Sequence, residues 1–95
     1  MRVTVVGKVV AVAKDLTKPR DGSKGTEFHA VSLLQTTNRD GKAGAEIAVV
    51  KFWNGAFKPD VYKAGADVTI PDVSVSAFGG GNGRSPEVQF SVFGN

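Results

Sequence analysis

The chain contains no cysteine and only one each of histidine, methionine, tryptophan and tyrosine among its 95 residues. Without cysteine there is no disulfide and no thiolate chemistry, which fits a cytoplasmic protein. With a single histidine and no thiol, a zinc site cannot be assembled from its usual ligands. No apolar run approaches the ~20 residues of a membrane-spanning helix, and the opening MRVTVVG is not the pattern of a secretory leader. Carboxylates are few and scattered: nine Asp and Glu fall at turns and strand ends, with no cluster for two-metal chemistry and no Ser, His and Asp nucleophile motif. The expectation is a protein that is not an enzyme and uses neither metal nor cofactor.

The composition describes one domain over residues 1–95, with 41% hydrophobic residues and a net charge of +3 from 12 Lys and Arg against 9 Asp and Glu. That supports one core and permits a polyanionic partner. The pattern is β throughout. RVTVVGKVVAVAK (Arg2 to Lys14) is valine-rich and longer than a usual strand; Gly7 inside it marks a bulge or sharp coil where one strand serves two sheets. DLTKPRDGSKG (15–25) reads as a loop or flexible hairpin. TEFHAVSLLQTT (26–37) is a second strand, with His29, Val31 and Leu33 on one face and Phe28, Ala30, Ser32 and Leu34 on the other. NRDGKAG (38–44) is a turn centred on Asp40-Gly41.

EIAVVKFWNG (46–55) is a third strand of two characters. Ala48, Val50 and Phe52 form an ordinary core face; Ile47, Val49, Lys51 and Trp53 form the other. After it, NGAFKPDVYKAG (54–65) has room for only a short irregular or helical connection, from which Phe57, Val61 and Tyr62 are expected to plug the core. DVTIPDVSVSAF (67–78) alternates through Val68, Ile70, Val73, Val75 and Ala77, with Pro71 at a bulge or edge. A glycine-rich loop follows, then EVQFSVF (87–93), whose Val88, Phe90 and Val92 share a face. Five strands, the first long and bulged, with the one irregular connection between the third and fourth, describe an all-β, five-stranded Greek-key barrel of the OB type.

On these residues a resemblance can be stated. VTVVGKV (3–9), the run from Glu46 through KAGADVTI (63–70), and the final third resemble the OB-fold single-stranded DNA-binding proteins of bacteria and phages. The family's acidic C-terminal tip, which recruits other replication proteins, has no counterpart at Phe93-Gly94-Asn95, and the connection containing Pro59 is shorter than the family's helix. Both departures lead to the expectation of a phage or plasmid version or a shortened form. The resemblance implies sequence-tolerant binding of single-stranded DNA in replication or recombination, in the cytoplasm of a bacterium or an infected host cell. It also implies a homo-oligomer, with a dimer as the first expectation, possible replication proteins as partners and no membrane.

Single-stranded nucleic acid offers an anionic backbone and exposed base faces. Aromatics stack on bases and cations neutralise phosphates, so a strand that alternates apolar with aromatic and cationic residues suits it. By resemblance Trp53 stacks on a base; the competing reading places it in the core. Phe28 is the second aromatic candidate. Lys51 stands beside Trp53 on the strand, Lys18, Arg20 and Lys24 lie in the first loop, Arg84 in the glycine-rich loop, and Lys8 extends the track on the first strand with Arg2 and Lys14. Asp15 and Asp21 dilute the first cluster. Phe93, opposite the core face of its strand, is left between three roles: a stack on DNA, a subunit contact or an exposed end. GGGNGRS (79–85) lacks the spacing, lysine and following helix of a phosphate-binding loop. The alternatives to single-strand binding are an OB-fold protein-docking adaptor of a replication complex and, lower, an RNA-binding domain of cold-shock type.

Overall fold

A computed structural model of the chain describes residues 1–17, 21–79 and 86–94. Five strands run in order, β1 (Arg2–Leu16), β2 (Glu27–Arg39), β3 (Lys42–Trp53), β4 (Asp67–Gly79) and β5 (Pro86–Phe93). They close as β1-β2-β3-β5-β4, antiparallel except for the parallel β3–β5 pair. This is the Greek-key OB barrel expected from the strand pattern.

Closure depends on β1 changing partners. Arg2 to Lys8 pair with β4, while Lys8 to Leu16 pair with β2. Gly7 sits at the handover, where a Cβ would lie 3.0 Å from both Leu33 Cβ and the Leu34 carbonyl oxygen. A side chain here would force β1 or β2 to give by a few tenths of an ångström. Beyond it, Val10 is an extra residue between Val9↔Leu33 and Ala11↔Ser32, so Val9 points inward and the alternation then shifts by one. On β4 the extra residue lies at Pro71-Asp72, between Ile70↔Val5 and Val73↔Val3, with Asp72 at φ 56°. The bulge expected at Pro71 is there, and it is why Ile70 and Val73 both face the core.

That core is aliphatic with one phenylalanine: Val5, Val9, Val31, Leu33, Val50, Phe52, Val68, Ile70 and Val73 are buried together. Phe52 takes the inward face of β3 as its alternation predicts. The connection after β3 contains turns and no helix, with Val61 and Tyr62 N–H groups both donating to the Lys58 carbonyl (3.1 and 2.9 Å). Phe57 and Tyr62 pack on the core from it, and the Phe57 ring lies parallel to His29 at 4.2 Å. Val61 does not join them. It is exposed because the turn that brings Tyr62 inward carries its neighbour outward.

The strands outrun their expected ends. Asp40 (φ 53°) and Gly41 (φ 75°) make a two-residue turn between Arg39 and Lys42, so the ladder continues through most of the segment expected to be turn (38–44). Val88, expected on the core face, is exposed because it pairs with Ala77 on the outlying part of β4–β5. These projecting ribbons raise the radius of gyration to 14.9 Å, against about 12 Å for a compact chain of this length. Among the described residues no helix is long and apolar enough to cross a membrane.

Two outcomes are expected. Gly7→Val forces β1 off β2 and destabilises the fold by roughly 1–3 kcal/mol, read from the urea midpoint; an unchanged midpoint would place the close approach elsewhere. Burial raises the Tyr62 phenol above its ordinary 10.0, so the folded state favours the neutral form. Its contribution is complete below pH ~10 and is lost as pH rises through the raised folded value. Melting temperature should therefore fall more between pH 8 and pH 11 for the wild type than for Tyr62→Phe.

Candidate nucleic-acid interface

The outer face of β3 is organised by its two neighbours. Register sets Phe28 of β2 opposite Trp53 and Phe93 of β5 beside Trp53. With strands about 4.8 Å apart, the three aromatics form one row across the sheet. Ring centroids are 4.7 Å apart for Phe28 and Trp53, tilted 36°, and 6.4 Å apart for Trp53 and Phe93, only 13° from parallel. The next row holds Ala30, Lys51, Ser91 and Ser74. Lys51 Nζ lies 5.0 Å from the centre of the Phe28 ring, a cation–π contact worth about 0.5–1 kcal/mol at such a surface.

The row is graded in exposure. Phe28 is only 8% exposed, Trp53 is half-buried, and Phe93 is 63% exposed. Phe28 therefore occupies the outward face that the strand alternation gives it, yet it is covered there. Trp53 and Lys51 lie over it, so it is a pedestal for Trp53 and not a free platform. Phe93, whose role the sequence left open, is the accessible ring. The signal for it was the same as for Trp53: a large aromatic on the side of a strand opposite its core residues.

Backbone contacts fix both rings. The Trp53 carbonyl accepts hydrogen bonds from Ala56 N (3.1 Å) and Gly94 N (2.9 Å), and the chain reverses after it through Asn54 (φ 55°) and Gly55 (φ 81°). A Cβ on Gly94 would collide with the Asn54 carbonyl oxygen and lie 2.9 Å from Ala56 N, so glycine there lets the end of β5 seat against this turn. Trp53 Nε1 is buried and has no hydrogen-bond partner.

Beside the rings is an open cleft of about 510 Å³. Thr17 and Thr26 line it from the β1–β2 arm, and Ser76, Gln89 and Ser91 line it from β4 and β5, with Trp53, Asn54 and Phe93 completing it. The arm is pinned at this point: Thr17 N donates to Thr26 O (3.0 Å) and Thr26 N to Thr17 Oγ1 (2.8 Å). None of the described lining residues is charged. Phe93 also borders a second depression of about 410 Å³, with Arg2, Asp72 and Ser74.

Of the residues singled out in the sequence, Trp53, Phe28 and Lys51 come together. Lys24 is exposed on the arm, two positions before Thr26. Nearby, Asp21 accepts a hydrogen bond from Ser23 N at 2.9 Å, and bonding to Ser23 holds its carboxyl below the usual range. Lys14 is paired with Glu27 at 3.0 Å. Lys8 lies apart: it aligns with Leu34 and Ile47 and borders a different groove with Val6, Gln35 and Asp67. From Ile47 to Trp53 is roughly 20 Å of strand. Lys18, Arg20 and Arg84 lie outside the described residues. Among the described residues, no group of three or more His, Asp and Glu side chains could hold a metal ion.

Comparison with protein-family models, with curated proteins and with solved structures gives no match in any of the three.

The graded burial has a direct consequence for stability. Phe28→Ala should cost roughly 3 kcal/mol, as for a buried phenylalanine, whereas Phe93→Ala should stay within about 0.5 kcal/mol. Denaturant unfolding of the two variants tests this, and the reverse order would exchange pedestal and platform.

Proposed function

We propose that the protein binds single-stranded DNA and protects it during replication or recombination, largely without regard to sequence, and is not an enzyme. The observation that carries the reading is the near-parallel Trp53–Phe93 pair on the outer sheet face, with Phe93 63% exposed at a cleft between the β1–β2 arm and β4–β5. Exposed rings fixed on strands are platforms for bases, each stack being worth about 1–3 kcal/mol whatever the base. Lys51 beside them, Lys24 on the arm and the expected Lys18, Arg20 and Arg84 supply phosphate contacts. A barrel this small spans few nucleotides, so affinity along a strand is raised by a homo-oligomer, a dimer in the simplest case.

The second reading, a protein-docking adaptor, has an observation of its own. Val10, Ile47 and Val49 are 45%, 57% and 43% exposed, Ile47 and Val49 on the same outer face of β3 as Trp53 but earlier along the strand, an apolar set suited to a protein contact.

Titration of the single tryptophan's fluorescence with oligo-dT, at low and high salt and beside a duplex, separates the two. Quenching by the single strand but not the duplex is expected, with log K falling against log salt by about 0.7 per phosphate contact. Failure to bind even at low salt would discard single-strand binding and leave the adaptor.

A further inference from the structure

The cleft beside Phe93 has the wrong chemistry for a phosphate and the right chemistry for a base. Its described lining is neutral: hydroxyls of Thr17, Thr26, Ser76 and Ser91, the amides of Asn54 and Gln89 and two aromatic rings. Phosphate sites need cations or convergent backbone N–H groups. A nucleobase needs a ring to stack on and neutral donors and acceptors along its edge. The volume of about 510 Å³ falls within the ~300–1,000 Å³ of small-ligand clefts. Phe93 is free to take a ring because it borders depressions formed by two different sets of residues and is 63% exposed. The lining holds two amides, Asn54 in the turn after β3 and Gln89 on the same strand as Phe93, and an amide carries a donor and an acceptor side by side, the pattern that pairs with a base edge.

We propose that this cleft is a base-reading subsite, in which one unstacked base of the bound strand lies against Phe93 and presents its edge to the Gln89 amide and the surrounding hydroxyls. The inference rests on the single-strand reading above and refines it. Contacts through Lys51 and the arms are indifferent to sequence, but one position of the strand is discriminated. A ring-only platform would accept every base equally; the neutral hydrogen-bonding groups give this one a preference.

The test compares dissociation constants for dT, dC and dA oligomers of equal length, at one salt concentration and across a salt series, for the wild type, Phe93→Ala, Gln89→Ala and Gln89→Glu. The wild type should rank the three oligomers with a spread of at least about fivefold, the lower end expected of a base-edge pair. Gln89→Ala should bring them within about twofold and leave the salt slope unchanged, and Gln89→Glu, which keeps the size but loses the donor, should reorder them. Phe93→Ala should weaken all three by about fivefold or more. A wild-type spread below twofold, or a spread that survives both Gln89 variants, overturns the subsite while single-strand binding stands. Absence of binding by every oligomer overturns the single-strand reading itself, and the subsite with it.

Discussion

Everything at the outer face depends on one backbone constraint, the handover of β1 from β4 to β2 at Gly7 and Lys8. Because β1 holds both neighbours, β2 and β4 are drawn to opposite edges and the sheet closes on itself. The gap that remains between β3 and β4 is then filled by β5, antiparallel to β4 and therefore parallel to β3. That parallel pairing is what sets Phe93 beside Trp53. The two rings are forty residues apart in the chain, and they meet through this closure, which a glycine near the N-terminus eases by letting β1 pass close to Leu33 and Leu34.

This explains which parts could be read from the sequence. Alternation is a local property, so the two faces of β3, the paired inward positions either side of Pro71, and the role of Gly7 were legible from residue order alone. Strand ends were less so. A two-residue turn at Asp40-Gly41 interrupts the hydrophobic pattern without interrupting the ladder, and polar residues such as Thr36 and Asn38 continue it. The barrel's strand order was legible from the type of fold, but its register was not. Phe28 was placed on its correct face, but its burial depends on Trp53 and Lys51 from the neighbouring strand. Lys8 joined the expected track because it is a cation on a strand, whereas register puts it near Ile47 and not near Trp53.

On the proposed reading, the aromatic row is also a compromise between folding and binding. An exposed ring on a sheet contributes little to stability, whereas a buried one contributes several kcal/mol. Here the two demands are divided among neighbours. Phe28 is buried and stabilises the outer face, Trp53 leans on it half-covered, and Phe93 extends the surface into solvent at small cost. The cation–π contact of Lys51 works in the same direction. It holds the ammonium over Phe28, so the charge stands beside the rings in the unliganded protein, which would lessen the ordering entropy of the proposed binding.

Charge and hydrogen-bonding capacity are likewise separated in space. The described cleft lining is neutral, while Lys51 stands in the next row of the sheet and Lys24 on the arm near Asp21, whose carboxyl is held below its usual range. Backbone neutralisation depends on ionic strength and ignores base identity; edge contacts in a neutral cleft depend on identity and are little screened. On the proposed reading, such a protein has two levers on one ligand that respond to different variables. If it binds a single strand as proposed, changing the salt concentration moves its affinity without moving its preference, and altering Gln89 does the opposite.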